Sequence, residues 1–418
     1  MTSLPTVAVS PHAETSSRTH YALLILTLIN LVNYLDRYIV SAALPKIQKD
    51  LGINDTQGGM LGSVFIIVLM VASPLSGYLG DRVPRKFLVV GGVLLWSLAT
   101  GASGLAATFV TLMIARAVVG IGEAGYGTAA PSLISDLYPR ELRTRVLAFF
   151  YTAIPVGAAA GYGLGGWLSS EYSWHTAFFV GGVPGLILGS MAFFMPEPQR
   201  GALDGPEAQT KLPFMVGLKG LADNKAFWAT TAGYTLMTFS IGGLAHWMPA
   251  YMERERGMPG SQAGLIFGGV TALAGVVGTL SGGWLGEKMD QRREGGGLLV
   301  SGMGLLLASP LMFIAVNLES QVATFAAIGV AQVLVFLNSG PINAAIVNCV
   351  QPAFRAFAMG LNVLCIHMLG DAISPTLIGN ISDRSNLTTA IEVNAIPVLL
   401  GGVALLIGAK LFREAVPR

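Results

Sequence analysis

Apolar residues in this chain run in long stretches, separated by charged or Pro/Gly-rich punctuation. About 20 apolar residues cross the ~30 Å hydrocarbon core of a bilayer as a helix. Stretches of that kind fall at 21–43, 57–79, 87–106, 108–134, 146–169 and 175–195. They resume at 226–251, 261–285, 297–316, 321–348, 356–381 and 391–412. The pattern predicts an all-α polytopic membrane protein with twelve transmembrane helices in two six-helix halves.

Lys and Arg test that count, because cytoplasmic loops hold the excess of positive charge. With the N-terminus inside, 18 of the 25 Lys and Arg residues fall on the inner side, five on the outer side, and Arg37 and Arg116 lie within spans. An odd number of spans would destroy the asymmetry in the second half, so both termini are expected to be cytoplasmic. The gap from Pro196 to Lys225 is rich in proline, glycine and charge and has no apolar face, as a linker would. The expected organisation is a cytoplasmic tail at 1–20, a bundle at 21–195, a linker at 196–225, a second bundle at 226–412 and a short tail at 413–418. The halves also look like repeats. Gly77-Tyr-Leu-Gly-Asp-Arg-Val-Pro-Arg-Lys86 closes span two, and Gly283-Trp-Leu-Gly-Glu-Lys-Met-Asp-Gln-Arg-Arg293 closes span eight. Matched segments in two halves are the signature of a transporter built from parallel repeats.

Composition removes most other classes. Hydrophobic residues make up 53% of the 418 and charged residues 11%, against about 25% charged in a soluble domain. The 53 glycines suit helices packed closely in lipid. A net charge of +2 carries no message about polyanions, so no nucleic-acid partner is expected. Cys349 and Cys365 both lie in apolar runs and read as packing residues. The five histidines show no ligand spacing, and neither a metal nor an organic cofactor is expected. Gly120-Ile-Gly-Glu-Ala-Gly125 fits a dinucleotide fingerprint but follows no strand, and is set aside.

Gly77 to Lys86 resembles the loop signature of the major facilitator superfamily, with Pro84 where that pattern has glycine. Arg116 to Gly122 and Ser173-Trp174 also resemble superfamily motifs. Gly161-Tyr-Gly-Leu-Gly-Gly166 is similar to the proton-antiporter motif, except that Tyr162 replaces its proline. Within the superfamily, Asn33-Tyr-Leu-Asp-Arg-Tyr38, Gly122-Glu-Ala-Gly-Tyr-Gly127 and Gly370-Asp-Ala-Ile-Ser-Pro375 resemble the Spinster family. That resemblance implies export of lysophospholipid- or sphingosine-phosphate-like amphiphiles, with proton coupling in at least some members. It implies a transporter rather than an enzyme, with rocker-switch alternating access, and a protein that functions as a monomer. Short tails without targeting motifs point to a bacterial inner membrane.

Ionisable residues in mid-membrane are functional candidates by default. Asp36, Arg37, Arg116, Glu123 and Asp371 qualify. From the rise of ~1.5 Å per residue, Asp36 and Arg116 lie at similar depth, with Glu123 about 10 Å further in. Arg116, Gly120, Glu123 and Gly127 share one helix face, as do Asn30, Asn33 and Arg37. Asp36 and Glu123 are therefore expected as a protonatable pair, with Arg116 as the switch partner between them, protons serving as the coupling ion. A static ion-pair network is the alternative. Arg37 suits a phosphate headgroup; a pair with Asp371 and outward snorkelling are the other options. Asn33, Tyr126 and Tyr162 are the remaining substrate-binding candidates. Gly77, Asp81, Arg85, Asp136 and Asp371 are expected to gate. Asp81 would meet the N-terminus of span eleven, Arg85 would pair with Asp136, and Gly77 would permit close approach. Rival functions are a multidrug or organic-anion exporter of the same fold and a membrane-embedded lipid-modifying enzyme.

Overall fold

The structure is a computed structural model that describes residues 17–80, 82–199, 219–350 and 355–415. Its helices are α1 (Ser17–Leu51), α2 (Asp55–Gly80), α3 (Arg85–Ser103), α4 (Phe109–Leu137), α5 (Arg140–Tyr151), α6 (Ala153–Glu171) and α7 (Trp174–Ala192). The second half holds α8 (Lys225–Arg254), α9 (Gly260–Asp290), α10 (Gly296–Asn317), α11 (Gln321–Phe336), α12 (Ser339–Asn348) and α13 (Arg355–Ile366). A π-helical turn (His367–Asp371) then leads into α14 (Ser374–Arg384), α15 (Leu387–Val393) and α16 (Ala395–Ala415). No strand occurs among the described residues. The helix starts are written locally: Thr108, Ser173, Asn224, Ser320 and Asn386 each accept a hydrogen bond from the amide three residues on, satisfying a donor that the first turn cannot use.

Eleven segments are long and apolar enough to cross a membrane, and α8 completes the twelve. It is interrupted by Thr230, Thr231, Thr235, Ser240 and His246, but its 30 residues reach about 45 Å at 1.5 Å each. It also lies antiparallel along the whole of α16. Ser240 and Asn394 exchange hydrogen bonds of 3.1 and 3.0 Å at one end, and Gly408 packs against Thr230 at the other.

Four spans are broken, and proline locates each break. A proline clashes with the carbonyl four residues back. Pro155, Pro375 and Pro397 point to Tyr151, Asp371 and Val393, where α5, the π turn and α15 end, and Pro341 points to Leu337, the C-cap of α11. Pro45, Pro74, Pro131, Pro184, Pro249 and Pro310 sit inside unbroken helices, so proline marks a break without compelling one.

Several expected boundaries move. The first helix begins at Ser17 inside the expected tail, and runs on to Leu51 rather than ending at 43. The last reaches Ala415. Most of the expected linker, at 200–218, and the tail residues 1–16 and 416–418 lie outside the described residues.

The halves meet through two helix pairs, α6 with α9 and α2 with α14, and through α1 with α8. Adding six to the span numbers turns the first pair, spans five and eight, into the second, spans eleven and two. The halves are therefore related by a pseudo-twofold. At both crossings backbone meets backbone: a methyl on Gly59 or Gly264 would overlap the Pro375 or Tyr162 carbonyl. The apolar cluster that joins the halves includes Leu44, Ile47, Trp247, Tyr251 and Phe267, all toward the face holding the α1–α2 turn, here called the far face. The face holding Ser17 is the near face.

Candidate functional site

A cavity of about 460 Å³ opens between the halves. Its walls come from α1, α2, α4, the α5–α6 junction and α13. Each contributes its middle or its near-face portion. Asn30, Asn33, Tyr34 and Arg37 line it from α1, Glu123 and Tyr126 from α4, and His367 from the second half. Leu69, Met70, Ile154, Val363 and Leu364 make much of the rest apolar.

An Arg–Glu ion pair in the wall joins α1 to α4. Arg37 donates from Nη2 and Nε to Oε2 of Glu123, at 2.7 and 2.8 Å. The Glu123 side chain is fully buried and its Oε1 has no hydrogen-bond partner. Arg37 keeps 27% of its side chain exposed and lies 4.7 Å from the Tyr34 ring centre. Asn33 Nδ2 is likewise buried and unpartnered. A cation, an acid with a spare oxygen and an amide with spare donors thus face one space with apolar walls.

The cation hydrogen-bonded to Glu123 is Arg37, a partner that the expectation did not give it. Arg116 interacts electrostatically with both Asp36 and Glu123 and lies over the Phe65 ring at 4.9 Å, with Nε and Nη1 unpartnered. Asp36 is buried on a different face of α1, because adjacent residues point ~100° apart on a helix. It accepts from Thr100 at 3.3 Å and packs against Gly181, toward α3 and α7 and away from the cavity.

Tyr126 lines the cavity, its hydroxyl donating to the Leu26 carbonyl at 2.7 Å. Tyr162 does not line it. It bridges the halves near mid-membrane, donating to the Ala245 carbonyl at 2.5 Å and packing at an angle between Tyr38 and Phe267, so its assignment to substrate is corrected. Asp371 pairs with His367 at 3.0 Å, not with Arg37. His367 shares no ligand spacing with the other histidines. The i, i+4 relation to Asp371 was the signal available in the sequence.

Of the gating candidates, Arg85 meets Asp136 at 2.5 Å. It also reaches Glu197 at 3.3 Å, an acid that the sequence reading missed. All three belong to the first half. Gly77 is half-buried, and a methyl on it would touch nothing within 4 Å, so no close approach uses it here. Asp81 lies outside the described residues. No group of three or more His, Cys, Asp or Glu that could hold a metal occurs among the described residues.

Hydrogen bonds and ion pairs between the halves, among the described residues, cluster toward the far face. His246 of α8 contacts Ser41 at 3.5 Å and the Gly58 carbonyl at 3.0 Å, and Lys46 pairs with Glu253 at 3.5 Å. Arg254 pairs with Asp55 at 2.6 Å. The far side is sealed, and the cavity belongs to the near side.

Comparison with known proteins places this geometry in context. The sequence profile of the Major Facilitator Superfamily matches residues 26–375. Protein spinster homolog 1 of Xenopus laevis is 36% identical over 382 residues, covering 86% of this chain and 72% of that protein. Protein spinster homolog 3 of Danio rerio is 36% identical over 384 residues, covering 88% and 77%. The crystal structure of a bacterial homologue of the human lysosomal transporter Spinster, inward-facing and unoccupied, superposes with a TM-score of 0.88. It shares 23% identity and covers 96% of this chain and 99% of that one, a likeness of fold.

Proposed function

The chain belongs to the major facilitator superfamily and, within it, to the Spinster homologues, and from that premise we propose that it is a proton-coupled transporter of anionic, lysolipid-like amphiphiles working by alternating access. It is an integral membrane transporter and not an enzyme; the coupling ion and the substrate are the proposal. The observation that carries it is the Arg37–Glu123 pair in the wall of an otherwise largely apolar cavity. Apolar walls accommodate an acyl chain, and a planar guanidinium suits a phosphate headgroup.

Coupling follows from competition. While Glu123 is ionised it occupies two donors of Arg37. A proton on Glu123 frees them for the headgroup, so proton and anion favour each other's binding, and the linkage is reciprocal. Asp36, one residue before Arg37 but facing α3 and α7, is assigned as a second protonation site outside the substrate's reach. Lys and Arg counts favour a cytoplasmic near face that carries both termini, and on that reading the conformation described is open to the cytoplasm. We assign the protein to a bacterial inner membrane, acting as a monomer.

The test is uptake into proteoliposomes under an imposed pH gradient, with a lysophospholipid and a cationic dye compared. Gradient-driven lysolipid movement that is lost in Glu123→Gln supports both substrate class and coupling. Dye movement alone turns the reading to a multidrug exporter, and movement that ignores the gradient removes the coupling role.

A further inference from the structure

The start of α2 is capped by the other half of the molecule. A helix leaves its first amides without partners. At α2, Asn54 and Gln57 form a reciprocal capping pair: Asn54 Oδ1 accepts from the Gln57 amide at 2.9 Å, and Gln57 Oε1 accepts from the Asn54 amide at 3.1 Å. The Gly58 amide donates to the Asn54 carbonyl at 2.9 Å. The two remaining amides, of Asp55 and Thr56, donate to Oδ1 and Oδ2 of Asp383, each at 2.8 Å. The Thr56 hydroxyl adds a third bond to Asp383 at 2.6 Å. Asp383 stands in the last turn of α14, in the second half, so one carboxylate spans the seam and sits where the helix dipole is positive.

The engagement is mutual. Asp55, the first residue of α2, reaches back and accepts from Arg254 at 2.6 and 3.1 Å and from Ser382 at 2.5 Å, both in the second half. Gln48, at 2.7 Å, holds the same carboxylate from its own half. Below this polar layer α2 and α14 touch backbone to backbone, since a methyl on Gly379 would overlap the Asp55 carbonyl.

We propose that Asp383 is the latch of the far-face gate, holding the cytoplasm-open state by capping α2 across the seam. The cap is all-or-none: tilting one half against the other moves the carboxylate off two amides and a hydroxyl together, while the Asn54–Gln57 pair stays behind to keep α2 wound. Opening the gate thus costs the seam its charge-assisted bonds without unravelling the helix. This rests on the alternating-access reading, and is independent of which amphiphile is carried or whether protons drive it.

The test places spin labels at Glu171→Cys and Glu319→Cys, exposed far-face positions on the two halves, with both native cysteines replaced. Pulsed electron paramagnetic resonance then reads the closed and open distance populations in liposomes. Asp383→Ala is expected to shift that ratio about tenfold toward open. Asp383→Asn, which keeps the shape and one acceptor, should fall between it and the parent. Asn386→Ala is the control, because Asn386 caps the Thr389 amide within one half at 2.8 Å and should leave the ratio unchanged. An unaltered ratio in both Asp383 variants overturns the proposal, as does an equal shift in Asn386→Ala, which would signal general loosening. A single distance in the parent under every condition refutes alternating access itself.

Discussion

Replacing Glu123 by Gln tests the exchange of partners at Arg37. Both donors converge on one oxygen, at 2.7 and 2.8 Å, while the other oxygen is buried and unpartnered. An anionic headgroup arriving at neutral pH must take over both donors and strand a carboxylate whose side chain is fully buried. Breaking a fully buried pair costs about 3–5 kcal/mol, but Arg37 keeps 27% of its side chain exposed and the headgroup replaces the lost bonds. What remains is about 1.4–2.8 kcal/mol, or a factor of about 10–100 in Kd. Protonation removes that penalty, so the native protein should bind a lysophospholipid more weakly as pH rises. In Glu123→Gln the guanidinium is permanently available. Calorimetric titration across mildly acidic to mildly alkaline buffer should give a nearly flat Kd, close to the acidic native value. A Gln variant that keeps the native pH slope, or binds more weakly than the native protein in acid, would refute the exchange.

Three further outcomes follow from other parts of the structure. Arg85→Gln removes the ion pairs to Asp136 and Glu197 at the start of α3, and should lower stability by about 1–3 kcal/mol, seen as a fall in Tm of the detergent-solubilised protein; an unchanged Tm would restrict Arg85 to a role in topology. Pro375→Ala supplies an amide to the Asp371 carbonyl and removes the ring clash, so hydrogen exchange across 371–376 should slow; unchanged exchange would mean that packing against α8, where Gly242 meets Asp371, and not proline, sets the π turn. Burial pushes the Cys349 thiol up to about 11, leaving about one part in 10⁴ as thiolate at pH 7. Maleimide should therefore leave Cys349 unmodified at neutral pH and label it as pH rises, and rapid neutral labelling would contradict its burial.

Spans and halves were legible because hydrophobic length is a property of contiguous sequence. Even α8, the most polar span, was found, since His246 and its threonines are diluted over 30 residues. The four broken spans were only half legible: the prolines are visible, but whether a helix yields depends on neighbours, as the unbroken α2 and α4 show. The site was harder. Depth along the axis sets Asp36 and Arg116 at one level, and the two do interact, but it leaves Arg37 open, because one dimension of distance cannot fix which way a residue points. The rotation of α1 decides that, and it sends Arg37 to Glu123 and Asp36 to Thr100. Tyr162 was misread for a related reason: an aromatic near mid-membrane fits a substrate wall and a seam between halves equally well until the partner helix is known. The Asp383 cap left no local signal at all, since it joins residues 327 and 328 positions apart.

The π-helical turn at His367–Asp371 gives span eleven two phases. The Ala372 amide bonds to the His367 carbonyl at 3.0 Å, five residues back instead of four, so the chain carries one residue more than a regular helix would there. Everything after it is turned by ~100° relative to an unbroken continuation. His367 can therefore look into the cavity while Ser382 and Asp383, further along the same span, address the start of α2. A uniform helix would tie those two bearings together. Here a single span acts as a jointed rod, with its substrate end and its gate end aimed separately by the length of one residue.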